Sequence, residues 1–561
     1  MASFRAHCLA LQLTGVLGLL LAAGCPETDE PTEEGTSDTS GTGDTSGTTA
    51  EVDETAGPDV DIPARGIVIR RVDVNSGVAI TVAENGVLIA PQDRAPIPKQ
   101  RNTALRVLVD VDEDVWVQRE IEGRLTIVQP DGTQDVFSLS ETIAADSSES
   151  NLQSNFLFGV TADLVLPDVA YRVELFETGT NYETLPEPEL APAVPETGTA
   201  YLGTQTSTQR MRVMLVPVQY TAPDGGACQS TTDTSEESLE RYRAALFQHN
   251  PTESVEISVH EPMIVDDIDL SVTGSVYILL TRLSVLRADD AADPDLYYYA
   301  LFDNCAACIQ GDGSGGISGC LLGVAAGIAQ ATQGAGSIRV AVGVTATPSD
   351  ANGGVDTFVH EIGHNQGGNH VACPGQTAAG PDVAYPHDNG SIGVWGFGVI
   401  DFAIRNPSNH SDYMSYCSPT WVSDYQWAAT FDRIETLSGW GFGLDGGQTR
   451  EEEPMLLVGA VNPVTGEQRW WTDRGTLAPA DYSANAWEMA YTLDSGATVP
   501  VSAAVNPWSE GPWVSVRAPF GSEIATSLTA LELVAPGRTM RLRASEIAGN
   551  TMADLRAVAP D

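Results

Sequence analysis

The chain has few basic residues. Its 561 residues include 28 Lys and Arg against 76 Asp and Glu, which gives a formal net charge of −48, and Lys99 is its only lysine. A protein that binds nucleic acid needs a basic surface to displace counterions from phosphates, and binding to anionic lipid through charge requires one as well. The composition therefore excludes nucleic acid as a partner and argues against a membrane surface held by charge.

Long hydrophobic runs are also scarce. Residues 9–23 form the apolar part of a secretory signal after Arg5, and they are too few for a stable spanning helix. Residues 21–25 resemble a bacterial lipobox, in which the cysteine is lipidated. We therefore predict a signal peptide over 1–24, a lipid anchor on Cys25 and a location in the cell envelope, at the outer membrane or cell surface. Ordinary signal cleavage with an incidental cysteine is the alternative.

The segment after Cys25 lacks basic residues altogether. Residues 26–60 contain 11 acidic side chains and otherwise mostly Gly, Ser and Thr. Such a segment cannot bury enough apolar surface to offset the entropy lost on ordering. Residues 25–60 are therefore predicted to form a disordered acidic linker between the lipid and the folded part.

Cysteine is absent between residues 26 and 227, and six cysteines follow. An even number in an exported chain indicates up to three disulfides, whose pairing the sequence leaves open. The Cys305-x-x-Cys308 spacing could belong to a zinc half-site or a redox pair, but a structural bridge is favoured. The six are Cys228, Cys305, Cys308, Cys320, Cys373 and Cys417.

Three patterns divide the rest of the chain. Residues 61–200 alternate apolar and polar side chains in short runs and end in a proline-rich spacer, which predicts a β-sandwich-like domain. Strand and helix patterns alternate over 205–442, which predicts an α/β domain. Residues 445–561 are β-rich again and dense in tryptophan. An aromatic platform for glycan or protein is possible there, but tryptophans packed in a core are the commoner explanation.

Three aspartates at alternate positions begin like a calcium-binding loop. Asp110, Asp112 and Asp114 have the right spacing for its first three ligands. The glycine at the sixth position and the glutamate at the twelfth are missing. A solvated strand edge is therefore favoured, and a structural Ca²⁺ stays unproven.

The sequence HEIGHNQGGNH occupies residues 360–370. His360 and His364 project from one face of a helix, because they are four residues apart. Gly367 can end this helix in a left-handed conformation, which returns His370 to the same ion. Three neutral imidazoles with an open fourth position suit one catalytic Zn²⁺, and Glu361 is placed to take a proton from the attacking water.

These residues resemble the signature of the metzincin zinc peptidases, H-E-x-x-H-x-x-G-x-x-H followed by a Met-turn. The resemblance covers about 211–440 and places Met414 in the Met-turn, beneath the metal. It implies that Tyr416, two residues later, is a catalytic residue that stabilises the tetrahedral intermediate; a merely packed tyrosine is the alternative. Val371 follows the third histidine where several metzincin families carry Asp, Glu or Pro, so the subfamily stays open.

Cys373 closely follows the third histidine and Cys417 follows the Met-turn, so we predict a disulfide between them. Residues 337–344 alternate like a strand. In metzincins an edge strand upstream of the active-site helix pairs with the substrate, and an interior strand without that role is the alternative. His387 and His410 could line the cleft or hold a second ion, but hydrogen-bonded or exposed side chains are favoured.

The predicted fold is multidomain, with an α/β metzincin-like catalytic domain flanked by β-sandwich-like domains. The predicted function is a zinc endopeptidase that cleaves extracellular proteins or glycoproteins. The alternative is a surface-anchored adhesion or binding lipoprotein with an auxiliary or inactive zinc site. Residues 61–200 could also be an inhibitory pro-segment; without a cysteine they cannot supply a thiol latch, whereas a carboxylate latch remains open.

Overall fold

The computed structural model describes residues 61–547 apart from 150, 224, 226, 307, 312–319, 346–353, 444–453 and 483–486. The predicted signal peptide, Cys25 and the acidic linker lie outside the described residues. The chain divides into two units at Val60, and every described residue belongs to the second. The predicted domain boundaries therefore stay predictions.

Two antiparallel sheets occupy the segment predicted to be a β-sandwich. Apolar side chains of both sheets meet in one hydrophobic cluster, because alternate residues of each strand face inward. The first sheet has the order Val87–Leu88, Ala79–Glu84, Ile67–Asn75, Thr103–Val111, Phe156–Val160. The second has the order Ala200–Tyr201, Ala170–Glu177, Arg119–Val128, Gln134–Ile143, and Ala193–Val194 also pairs with Ala170–Glu177.

A seven-stranded mixed sheet follows. Its main path runs Gln229–Thr231, Arg210–Thr221, Leu296–Phe302, Val340–Val344, Gly323–Ala325, and Ser254–Val259 and Met263–Val265 both pair with Arg210–Thr221. Gly323–Ala325 pairs antiparallel with Val340–Val344 and has no further neighbour among the described strands. Val340–Val344 is thus an interior strand, and the expectation that it forms a substrate-pairing edge is wrong. The strand at that edge of the sheet is Gly323–Ala325.

Five α-helices are described, and α1 to α4 accompany the mixed sheet. The Ser235 side chain caps α1 by accepting from the Ser238 N–H, and Ser423 caps α4 by accepting from the Gln426 N–H. The helices are α1 (Glu236–His249), α2 (Thr273–Asp289), α3 (Val355–Asn365), α4 (Asp424–Gly439) and the short α5 (Ser522–Ser527).

The mixed sheet is covered on both faces. All seven residues of Leu296–Phe302 are buried, as expected for a strand between two layers. Tyr297 and Tyr299 lie in a cluster with residues of α1, α3 and α4. Tyr298 and Ala300, pointing the other way, lie in a second cluster with residues of α2 and of the C-terminal strands.

Two four-stranded antiparallel sheets form the C-terminal part. Trp470, Trp471, Trp508 and Trp513 are all buried, so these tryptophans belong to the core and form no exposed platform. The first sheet has the order Gln468–Arg474, Met455–Val461, Val514–Pro519, Ala504–Pro507. The second has the order Thr498–Val501, Glu488–Leu493, Leu528–Ala535, Arg538–Arg543.

The rest of the described chain consists of loops and short elements, and the structure as a whole is mostly β with few helices. Two-stranded pairings join Ile309–Gln310 to Cys320–Leu321, Gly396–Phe397 to Ile404–Arg405, and Ser411–Asp412 to Thr420–Trp421. Short 3₁₀ helices lie at Pro91–Asp93, Leu152–Ser154, Ala162–Leu164, Gly334–Ile338, Asp388–Gly390, Pro479–Asp481 and Ala544–Glu546. Within the described residues, no helix has the length and apolarity needed to cross a membrane.

Candidate metal centre and active site

The helix α3 carries the first half of the site. It packs on Val340–Val344 and Gly323–Ala325 of the mixed sheet, and nearly all its residues are buried. Asn365 at its end fixes it there, because its side-chain amide donates to the backbone oxygens of Ile338 and Val340. Beyond the helix, Gly367 adopts the predicted left-handed conformation with φ 89°, and the chain turns back to His370.

The three predicted histidines come together. His364 Nε2 lies 3.1 Å from His360 Nε2 and 3.2 Å from His370 Nε2. In the described part of the chain, they are the only group of three or more potential ligands with their donor atoms within 4.8 Å of one another.

Backbone carbonyls decide which ring nitrogens carry protons. The Nδ1 atoms of His360, His364 and His370 lie 2.8, 2.8 and 2.7 Å from the oxygens of Tyr413, Gly368 and Ala379. A carbonyl only accepts, so each Nδ1 carries the hydrogen and each Nε2 presents a lone pair. Three lone pairs that converge without a hydrogen between them repel one another unless a cation is present, so the donor set fits a zinc ion.

The site also favours neutral imidazoles. Burial and the proximity of His370 lower the pKa of His360 to about 4. Burial, together with the neighbouring histidines, lowers the pKa of His364 well below its ordinary value. Both rings are therefore neutral at neutral pH, which is the form that binds a metal.

Glu361 lies beside the histidines and is buried. Its Oε2 accepts a hydrogen bond from Ser509 Oγ at 3.1 Å. Burial raises the pKa of Glu361 well above its ordinary value, the charge of Glu510 adds to this, and the Ser509 hydrogen bond opposes it. A carboxyl group with a raised pKa holds a proton more readily, which suits a group that accepts and returns one.

Met414 lies beneath α3, in the place predicted for the Met-turn. It is fully buried, its N–H donates to Asp412 Oδ1 at 2.8 Å, and its carbonyl accepts from the Val371 N–H at 2.9 Å. This turn is hydrogen-bonded at two of the three histidines. The Tyr413 carbonyl accepts from His360, and the Met414 carbonyl accepts from Val371, the residue after His370.

Gly363 is the point of closest contact between α3 and this turn. A Cβ on Gly363 would lie 2.4 Å from Met414 Sδ and 2.7 Å from Tyr413 Cε2. Gly363→Ala is therefore expected to destabilise the protein by about 1–3 kcal/mol through overpacking, although alanine favours helix. Zinc affinity should fall too, because displacing Tyr413 moves the carbonyl that orients His360. Urea unfolding and chelator competition measure the two effects.

Gly439→Ala is the matched control, since Gly439 is also helical and a Cβ there would meet nothing within 4 Å. This control should keep wild-type stability and zinc affinity. Equal behaviour of the two variants would contradict the close contact at Gly363.

Tyr416 lies on the other side of His370. Its hydroxyl oxygen is 2.8 Å from His370 Nε2, and it donates a hydrogen bond to Glu510. Burial and the negative charge of Glu510 raise the pKa of Tyr416, so its phenol stays protonated and able to donate at neutral pH. Glu510 Oε1 itself lies 3.2 Å from His370 Nε2.

The six cysteines form three disulfides. One joins Cys373 to Cys417, the predicted pair, and links the segment after His370 to the segment after Met414. The other two, whose pairing the sequence left open, are Cys228–Cys305 and Cys308–Cys320. Cys305 and Cys308 are thus bonded to different partners.

A cleft of about 940 Å³ opens over the histidines. It is bordered by Gly323 of the edge strand, by residues 375–379 after the third histidine, and by residues 510–512 of the C-terminal part. None of the described residues from 61–200 lines it.

Other predicted candidates lie elsewhere or make ordinary contacts. His387 Nε2 is 2.5 Å from Asp424 Oδ1, and His410 Nδ1 is 3.0 Å from the Asn406 carbonyl. Both are hydrogen-bonded side chains, the favoured interpretation. At the proposed calcium loop, Asp110 pairs with Arg70 at 3.0 Å, and Asp112 accepts from the backbone of Asp114.

Sequence reasoning missed Ser509 and Glu510. Ser509 is 148 residues from Glu361 along the chain. The tryptophans around it indicated an aromatic platform or, more commonly, packed core residues, and neither interpretation points to an active site. No local motif marks the pair, since their place in the site is set by how the C-terminal sheet packs.

One of three comparisons with known proteins bears on the family. Residues 288–371 match the family model described as metallo-peptidase family M12B, reprolysin-like. None of the curated proteins matches. A solved structure described as "putative beta-galactosidase from bacteroides fragilis" has 10% identity and a TM-score of 0.14, with 87% of this chain and 74% of that chain covered; nothing is drawn from it. Residues 288–371, with the three-histidine site at their end, are thus similar to a family of metallopeptidases.

Proposed function

We propose that the protein is a zinc-dependent endopeptidase of metzincin type. The observation that carries this proposal is the convergence of three unprotonated Nε2 atoms on one point, beside the buried carboxyl group of Glu361 and under an open cleft. The match to a metallopeptidase family over 288–371 supports the same reaction class.

His360, His364 and His370 would hold the ion. Zinc supplies Lewis acidity, which polarises a peptide carbonyl and makes water more acidic. Glu361 takes a proton from the attacking water as the new carbon–oxygen bond forms. It then gives that proton to the leaving nitrogen as the carbon–nitrogen bond breaks. The Tyr416 hydroxyl donates to Glu510 in the substrate-free structure. With substrate bound it would release Glu510 and turn its one hydrogen to the carbonyl oxygen, where negative charge develops.

The edge strand provides a place for an extended substrate. Leu322 and Gly323 border the cleft, and no described strand pairs with this edge of Gly323–Ala325. The N–H and carbonyl of Ala325 are bonded to Ser509, so the part of the edge open to a peptide is Gly323 and the residues before it. An extended peptide can add to such an edge through backbone hydrogen bonds. The substrate class we propose is therefore an extended segment of an extracellular protein or glycoprotein.

The proposed setting is the cell envelope, with the protein held by lipid on Cys25. The signal-like sequence over 1–24 and the lipobox resemblance support this proposal. Three disulfides in the described residues suit an oxidising compartment.

Metal removal tests the proposed activity. The purified protein should contain one zinc per chain and cleave casein. o-Phenanthroline should abolish cleavage, and added zinc should restore it, because the three histidines retain their lone pairs without the ion. m-Phenanthroline, which does not chelate, is the control. Stoichiometric zinc without cleavage of any protein in a broad substrate library would contradict the proposal and favour the surface adhesion protein.

A further inference from the structure

A loop of the C-terminal part reaches the metal centre. Residues 508–513 connect the strands Ala504–Pro507 and Val514–Pro519. The loop is closed at its base, where the backbone N–H of Trp508 donates to the backbone carbonyl of Trp513 at 3.0 Å. The two indole rings stack there, with centroids 5.3 Å apart. Both rings also contact Tyr277 of α2. The tip of the loop is therefore held on a rigid base.

Ser509 at this tip joins the edge strand to Glu361. Its N–H donates to the Ala325 carbonyl at 3.0 Å, and its Oγ accepts from the Ala325 N–H at 2.8 Å. The Ala325 N–H binds a lone pair of the Ser509 hydroxyl oxygen and does not use its hydrogen. That one hydrogen is therefore donated to Glu361 Oε2 at 3.1 Å. Ser509 is 5% exposed, so water does not compete.

Glu510, the next residue, contacts the opposite side of the site. Its carboxylate accepts the hydrogen bond of the Tyr416 hydroxyl. The Glu510 side chain is 14% exposed, so this contact is also largely shielded. Adjacent residues of one loop thus hold the two side chains to which the proposed mechanism assigns proton transfer and oxyanion stabilisation.

We propose that Ser509 and Glu510 are positioning residues of the active site, with Ser509 orienting the Glu361 carboxylate and Glu510 orienting the Tyr416 phenol. The proposal rests on the proposed peptidase function and deepens it. It makes the C-terminal β-structure part of the catalytic machinery, although this structure lies outside the segment that matches the metallopeptidase family. Partners that orient catalytic and metal-binding groups typically contribute 10–100-fold to activity or metal affinity.

Ser509→Ala in the full-length zinc protein tests the first half. The expected result is a fall in kcat of about tenfold with KM unchanged, because Ser509 is buried and does not line the cleft. The zinc dissociation constant, measured by competition with a chromophoric chelator, should stay within about twofold of wild type, since the hydrogen bonds of Ser509 go to Glu361 and Ala325. A wild-type kcat, or a tenfold loss of zinc affinity, would overturn this half.

A double-mutant cycle separates positioning from general support of the fold. In a Glu361→Ala background, Ser509→Ala should cause no further loss of the residual activity, because the side chain it orients is gone. An equal loss in both backgrounds would show that Ser509 acts through the fold and would overturn the proposal. Thermal unfolding of each variant confirms that the compared proteins are folded.

Glu510 is tested with two substitutions. Glu510→Ala removes the acceptor of the Tyr416 hydroxyl and should lower kcat about tenfold. Glu510→Gln retains an acceptor oxygen, so its kcat should be close to that of wild type. In a Tyr416→Phe background, Glu510→Ala should cause no further fall in kcat at saturating zinc. The zinc dissociation constant is measured in parallel, because Glu510 also lies 3.2 Å from His370 Nε2. A rise in activity with either substitution would overturn the positioning role and show that the carboxylate obstructs the site.

Matched controls come from the exposed helix α5. Ser522→Ala and Glu523→Gln make the same chemical changes in the same C-terminal part, on exposed side chains away from the cleft, and should leave kcat and zinc affinity unchanged. A wild-type protein that cleaves nothing would refute the proposed function itself. An active wild type with unchanged Ser509 and Glu510 variants would refute only the inference about the loop.

Discussion

Glu361→Gln is expected to lower peptide-bond hydrolysis by roughly 10²–10⁴-fold while zinc stays bound. The amide keeps the size of the carboxyl group and can still accept the hydrogen bond from Ser509, but it cannot take a proton from water. The three ligands and their backbone partners are untouched, so the metal content should equal that of wild type. Steady-state kinetics on a peptide substrate and zinc analysis by mass spectrometry measure the two quantities.

The matched control for this experiment is Glu435→Gln on the exposed face of α4. It removes the same charge without touching the cleft, and its kcat should equal that of wild type. Full activity of the Glu361 variant would exclude Glu361 as the proton carrier. Loss of zinc from that variant would show instead that Glu361 contributes to metal binding.

Asp481→Ala is expected to destabilise the protein by about 3–5 kcal/mol. The side chains of Asp481 and Arg517 are both fully buried, with Asp481 Oδ1 3.2 Å from Arg517 Nη1. Removing the carboxylate leaves the guanidinium in the interior without a counter-charge. The substitution also removes the hydrogen bond that the Thr332 hydroxyl donates to Asp481 at 2.7 Å. This hydrogen bond joins the C-terminal part to the segment before Val340–Val344.

Urea unfolding of the zinc-loaded protein measures this loss, and Asp494→Ala provides the control. Asp494 is an exposed acidic residue of the same C-terminal part, so its removal should change stability by less than about 0.5 kcal/mol. Equal midpoints for the two variants would show that the buried pair contributes nothing. Asp481→Asn, which keeps the shape, isolates the charge from the loss of volume.

The metal site was predictable from sequence because its determinants are local. The positions of His360 and His364 follow from one helical turn, and Gly367 permits the reversal that returns His370. The same reasoning predicted the strand-rich character of the parts on either side of 205–442. The disulfide between Cys373 and Cys417 followed from the positions of the two cysteines after the third histidine and after the Met-turn.

What the sequence did not predict depends on tertiary packing. Whether residues 337–344 form an edge or an interior strand is decided by Gly323–Ala325, a three-residue strand with little pattern of its own. The roles of Ser509 and Glu510 depend on a sheet more than a hundred residues away docking against that strand. Such pairings between distant segments leave no periodicity that a single sequence can show.

The packing around the mixed sheet has a consequence for any attempt to produce part of this chain alone. One hydrophobic cluster runs from Ala64 to Leu437 and a second from Val216 to Trp513. The β-sheets on either side of residues 205–442 therefore cover apolar side chains of the mixed sheet and its helices. A gene segment encoding 205–442 alone would present those apolar faces to water and would be prone to aggregate. The flanking sheets therefore cover apolar surface that a shorter fragment would expose.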